Sequence, residues 1–144
     1  MNLWKGSVEM GLDNGFVVKS NKREITREDL PKDIIFPFPQ DYGFAPEIVY
    51  WRKNWGLRNA VLDYITDRDS EDGTYQIDTI DQILGIVHII FEFMDESTWN
   101  TYGESIWEYD EIKPTLKQNI INLILMIPFI QKNPDVYLEF YDSY

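Results

Sequence analysis

PTLKQNIINLILMIPFIQKNPDVYLEFY, residues 114–141, changes its period partway along, and that change decides the fold. In the first half Leu116, Ile120, Leu123, Ile124 and Ile127 recur at three- and four-residue steps, the apolar stripe of a helix. Ile121, Leu125 and Met126 widen the stripe, so this helix is expected to be the most buried. Pro114 suits the first turn, where its missing N–H costs nothing, and Pro128 is expected to end or kink the helix. After Asn133-Pro134, Val136, Leu138 and Phe140 alternate with Tyr137, Glu139 and Tyr141. That period of two predicts a closing strand with one face buried.

Upstream, the same two periods recur. Asp78 reads as an N-cap with Asp81 in the capping-box position. A helix follows to about Met94, its apolar side made of Ile80, Ile83, Leu84, Val87, Ile90, Phe91 and Met94. Trp51, Trp55, Leu62 and Ile65 give another helical stripe, and Glu47–Trp51 a short strand or a strand turning into that helix. Gly11–Lys19 reads as a strand, and Thr26-Arg27-Glu28-Asp29 as a capping box on one short turn. Three prolines forbid a regular element in Phe36–Pro46, whose aromatics are expected to cover one side of the core. Thr66–Thr74 and Asp95–Asp110 read as loops. Together these predict one α+β domain over residues 1–144, a small, mainly antiparallel sheet packed against about three helices.

Composition narrows the function classes. The chain has no cysteine, which excludes disulfides, thiolate metal sites and cysteine nucleophiles. Residues 1–6 have no apolar core of a signal peptide, and Ile120–Ile130 falls short of the ~20 residues a membrane span needs. A cytoplasmic protein without membrane contact is expected. The net charge is −12, and residues 61–111 carry it: one basic residue, Arg68, stands against 14 acids. Such a surface makes direct nucleic-acid binding unfavourable and suits a basic partner.

Met10-Gly11-Leu12-Asp13, Glu47-Ile48-Val49-Tyr50-Trp51-Arg52-Lys53, Tyr109-Asp110 and the terminal Phe140-Tyr141-Asp142-Ser143-Tyr144 carry a resemblance. The chain resembles a family of small uncharacterised phage and bacterial proteins. These open MGLD-(hydrophobic), carry a central E-I-x-Y-W-R-K motif and close on a tyrosine-rich strand. The resemblance spans residues 10–144 and implies a phage or mobile-element setting, with residues 1–9 as an extension before the shared start. Where the family continues N-x-I-H-x-W-F, this chain has Trp55 for the Asn, Arg58 for the His and Ala60-Val61 for the Trp-Phe pair. Those family residues therefore lend no role here.

No P-loop, GxSxG, HExxH or zinc-ligand pattern is present, so no catalytic residue, metal or cofactor is assigned. His88 and Glu92 lie one helical turn apart, but two ligands do not close a metal site, and a solvated helix face is the preferred reading. Asp67, Asp69 and Glu71 match calcium-loop positions one, three and five, while position six is Asp72 instead of Gly and position twelve Asp78 instead of Glu.

Two surfaces remain as candidates. Tyr50, Trp51, Arg52, Lys53, Trp55 and Arg58 form a basic-aromatic patch. Its arginines suit a phosphate or carboxylate, or else Trp51 and Trp55 are core, Arg52 pairs with Asp13 or Glu47, and Arg58 is a free surface residue. Asp67, Asp69, Glu71, Asp72, Asp95 and Glu96 form an acidic partner surface. The leading expectation is a non-catalytic accessory protein acting through a protein partner. The alternative is an acidic nucleic-acid mimic that inhibits a host DNA-binding protein, and the third reading a small enzyme acting on an anionic substrate.

Overall fold

A computed structural model describes residues 12–41, 43, 45–65 and 73–143. Among these residues the chain is an α+β protein, with one four-stranded antiparallel sheet and four α-helices. In chain order the elements are β1 (Asp13–Ser20), a 3-10 turn (Arg27–Asp29), β2 (Glu47–Arg52), α1 (Trp55–Ile65), β3 (Thr74–Ile77), α2 (Ile80–Phe93), α3 (Glu96–Tyr102), α4 (Tyr109–Lys132) and β4 (Val136–Ser143).

The sheet order is β2-β1-β4-β3, so the first and last of the described strands are the central pair. Asp13 faces Ser143 and the ladder runs without a break to Ser20 opposite Val136. Phe16, Val18, Trp51, Leu138 and Phe140 all turn to one face, where each is buried against the helices. Phe16 and Trp51 meet edge to face at 6.1 Å, and Phe16 and Phe140 pack as a tilted pair at 4.9 Å. The helix side of this core is Ile83, Ile86 and Ile90 of α2 with Leu116, Leu123 and Met126 of α4. The opposite face of the sheet is polar, with Lys19 and Glu139 paired at 2.8 Å. No described helix is long and apolar enough to cross a membrane.

Several sequence expectations are corrected. Trp51 belongs to β2, and α1 begins only at Trp55, because Lys53 takes a left-handed conformation (φ 55°) and turns the chain between them. The four-residue step from Trp51 to Trp55 thus joins a strand to a helix; Trp51 is 1% exposed and Trp55 38%. α2 is capped by Thr79, not Asp78: the Thr79 hydroxyl accepts from Gln82 N at 3.1 Å. Its buried side is Ile83, Ile86, Ile90 and Phe93, while Leu84 and Phe91 face outward, so the apolar stripe is rotated from the expected one.

The expected loop 95–110 contains α3, capped by Asp95 and anchored by buried Trp99. β3 begins at Thr74, the last residue of another expected loop, and continues through residues 75–77, which carry no sequence expectation; only Ile77 of its four residues is buried. α4 starts five residues before Pro114 and runs through Pro128 to Lys132. Pro128 sits on an exposed position, where water can meet the carbonyl it leaves without a donor. Ile121 and Ile124, placed in the buried stripe from sequence, are 39% and 46% exposed. Two asparagines, Asn119 and Asn122, are buried on this helix instead.

Candidate functional site

Among the described residues β2 is an edge strand, and a cleft of about 410 Å³ opens beside it. The cleft lies between β2, the segment 35–38, Trp107 and the first half of α4. Its walls are mainly aromatic and aliphatic, with a few polar groups among them, the usual make-up of a recognition pocket.

Two clamps shape the cleft. Asn122, 1% exposed, donates to Ile35 O at 2.8 Å and to Ile48 O at 2.9 Å, and accepts from Ile35 N at 3.2 Å and Gln118 Nε2 at 2.9 Å. It ties the proline-aromatic segment, β2 and α4 at one point. Arg27 then holds the rest of that segment: its guanidinium donates to Phe38 O at 2.9 Å, Pro39 O at 3.1 Å and Asp41 Oδ1 at 3.0 Å, and lies 4.3 Å from the Phe36 ring centre. Phe38 in turn packs on Tyr50, with ring centres 4.8 Å apart.

At the other end of the cleft the chain makes a tight corner. Lys53 N donates to Leu12 O at 2.7 Å, and Asn54 bridges to Ser105, whose hydroxyl donates to Asn54 Oδ1. The Ser105 hydroxyl accepts from Trp107 N at 3.0 Å, and Trp107 Nε1 donates to Arg52 O at 3.0 Å. Lys53 and Glu104, flanking this bridge, both have left-handed backbones, with φ of 55° and 46°. Asn54 is completely buried and lines the cleft, and its Nδ2 has no acceptor among the described residues. At the floor, Trp51 Nε1 donates to Asn119 Oδ1 at 2.6 Å, and Asn119 Nδ2 donates to Thr115 O at 3.0 Å.

The Lys53–Leu12 bond also fixes which backbone groups of β2 are used. In an antiparallel ladder, hydrogen-bonded and non-bonded pairs alternate. Asn14 opposite Trp51 is then a bonded pair, and Gly15 opposite Tyr50 is not. The N–H and C=O of Tyr50 therefore point away from β1, toward the cleft that Tyr50 lines.

On the outer face near the same strand lies a linked set of acids and phenols. Tyr50 Oη donates to Asp13 Oδ1 at 2.6 Å, and Tyr141 Oη donates to Glu47 Oε2. Burial pushes the Glu47 carboxyl up to about 7, against the opposing effect of the Tyr141 hydroxyl and with help from the charges of Asp41 and Asp13. Burial and the Asp13 carboxylate raise Tyr50 to about 12, and the charge of Arg52 and its hydrogen bond to the phenol draw it back. Burial and Glu47 raise Tyr141 as well. Gly15 is required beneath this set, because a Cβ there would collide with Glu47 Oε2 and Val49 O.

The structure divides the basic-aromatic patch. Tyr50, Trp51 and Arg52 come together on the cleft. Arg52 stands opposite Asp13 in the ladder, yet Asp13 is taken by Tyr50 and Glu47 by Tyr141, which corrects the expected Arg52 ion pair. Arg58 is not free: it grips Asp142 through two bonds. Lys53 and Trp55 belong to the corner and to the start of α1, outside the cleft lining.

Of the acidic surface, Asp67, Asp69, Glu71 and Asp72, with the calcium-loop reading, lie outside the described residues. Asp95 caps α3 and Glu96 is exposed in its first turn. His88 and Glu92 stand 3.7 Å apart on an exposed helix face. Among the described residues no group of three or more potential ligands is placed to hold a metal.

Sequence reasoning missed Phe38, Asn54, Trp107, Asn119 and Asn122 as site residues. The usable signal was polar residues inside an apolar run, at Asn119 and Asn122. No family model, no curated protein and no solved structure matches this chain.

Proposed function

We propose that the protein is a non-catalytic accessory protein of the phage or mobile-element type that acts by binding a protein partner. Its recognition surface is the cleft beside β2, which receives an extended segment of that partner. One observation carries this reading: among the described residues, an edge strand offers the N–H and C=O of Tyr50 directly beside a mainly apolar cleft. An added strand gains affinity from such main-chain groups and specificity from pockets for its side chains. The family resemblance supports the setting, since accessory proteins of that origin work on host or virion proteins.

Selection of linear peptides from a randomised library on the immobilised protein, followed by amide chemical-shift mapping, tests the proposal. Retained peptides are expected to shift the amides of residues 48–54 and the Trp107 indole. A library that yields no binder, or binders whose shifts map to the exposed face of α2 instead, overturns it.

A further inference from the structure

Among the described residues, the open stretch of the β2 edge is short, and both of its ends are closed by side chains. Asn122 Nδ2 occupies Ile48 O and Trp107 Nε1 occupies Arg52 O, which leaves the Tyr50 peptide groups between them. A strand running past either end would have to displace a buried asparagine with four hydrogen bonds or an indole already bonded to the backbone. The end of a chain needs no such displacement.

Charge then selects which end. Arg52 is exposed at the rim of the cleft, where its side chain hydrogen-bonds the neutral Tyr50 hydroxyl, and among the described residues no carboxylate pairs with it. Asn54 Nδ2, on the same corner, is a buried donor without an acceptor among the described residues. A buried unsatisfied donor is costly, so its persistence at a cleft wall marks a place where a ligand supplies the acceptor. A guanidinium fork and an amide N–H together match a carboxylate, whose two oxygens offer about four acceptor sites. A chain amino terminus would bring a second cation to Arg52. An internal carbonyl would satisfy Asn54 and leave the arginine unmatched. Glu111, the acid on the cleft lining, is already used in accepting from Glu108 N at 3.0 Å.

Resting on the reading of the cleft as a peptide site, we infer that it recognises a free C-terminus. The terminal carboxylate lies on Arg52 and Asn54, and an apolar last side chain enters between Phe38, Trp51 and Ile112. The preceding residue pairs with the Tyr50 backbone.

The inference is tested with the full chain and two fluorescein-labelled, randomised hexapeptide pools, one ending in a free carboxylate and the other in a carboxamide, read by anisotropy. The acid pool is expected to bind about tenfold or more tightly than the amide pool, with aromatic or branched aliphatic last residues enriched. Arg52→Gln, a change at an exposed position, is expected to erase the preference, and Arg52→Lys to keep part of it. Asn54→Asp retains an acceptor for Ser105 Oγ and turns the free donor into an acceptor, so it should penalise the acid pool alone.

Equal binding of the two pools, or a preference that survives Arg52→Gln, overturns the inference while leaving strand addition standing. Binding of neither pool, with no amide shifts around Tyr50, overturns both. Tighter binding of 3-phenylpropanoate than of the acid pool also overturns both, because the cleft would then serve a free acid.

Discussion

Arg58 on α1 holds both carboxylate oxygens of Asp142 on β4, at 3.1 and 2.8 Å, across 84 positions of sequence. Both side chains are largely buried, and Asn14 Nδ2 adds a third bond to Asp142 Oδ1 at 2.7 Å. Removing the guanidinium leaves a desolvated carboxylate without its counter-charge. Arg58→Met is expected to cost about 3 kcal/mol in urea denaturation. Adding Asp142→Asn, which removes the buried charge and keeps an acceptor for Asn14, should recover part of that loss. A cost within about 0.5 kcal/mol for the single variant would show the pair to be dispensable.

Asn122 offers the sharpest contrast between hydropathy and stability. Asn122→Leu makes α4 more apolar and keeps the branched shape and heavy-atom count, yet it strips partners from the backbone of Ile35 and Ile48. Unsatisfied buried groups cost about 1–3 kcal/mol each, so a loss of about 3 kcal/mol is expected. Proteolysis should show the segment 35–41 released first. A variant as stable as the parent would mean that these carbonyls find water readily.

Glu47 makes a pH prediction with a definite sign. Its folded carboxyl titrates near 7, above its ordinary value of 4.5, so between those values the folded chain holds a proton that the unfolded chain has released. Stability from this group therefore falls as pH rises from about 4.5 to about 7 and then levels off. Glu47→Gln should flatten that slope and melt higher than the parent at pH 8. Melting curves at pH 5, 6, 7 and 8 measure it, and parallel curves for the two proteins would refute the assignment.

Glu104 holds a left-handed backbone (φ 46°) that favours glycine. Its carbonyl accepts from Trp55 N at 3.1 Å, a bond any residue can make there. Glu104→Gly is thus expected to stabilise by about 0.5–1 kcal/mol, backbone relief outweighing the added freedom of the unfolded chain. Thermal melting decides this, and a lower midpoint would show that the carboxylate contributes more than the strain removes.

The elements with long, regular periods were readable. β1, β4, α2 and α4 follow from alternation or from the three-to-four step, because tertiary packing there agrees with local pattern. β3 and α3 were not, since four residues with one buried side chain and seven with one buried tryptophan give no period to detect. Trp51 shows a different failure. The strand-to-helix corner at Lys53 and Asn54 gave it a helical spacing to Trp55 that no helix produced. At the site, Tyr50, Trp51 and Arg52 stood out as a cluster in sequence. Asn54, Trp107 and Asn122 matter through contacts that span 51 to 87 positions, which local reading cannot reach.

The pairing of β1 with β4 has a consequence for biosynthesis. On the ribosome, helices α1 to α4 can all emerge before the strand that separates β1 from β3 exists. Until residues 136–143 clear the exit tunnel, β1 has only β2 beside it among the described strands, and Phe16 and Val18 lack the Phe140 and Leu138 side of their packing. The described sheet is thus closed from its middle, by a strand made after every strand it joins.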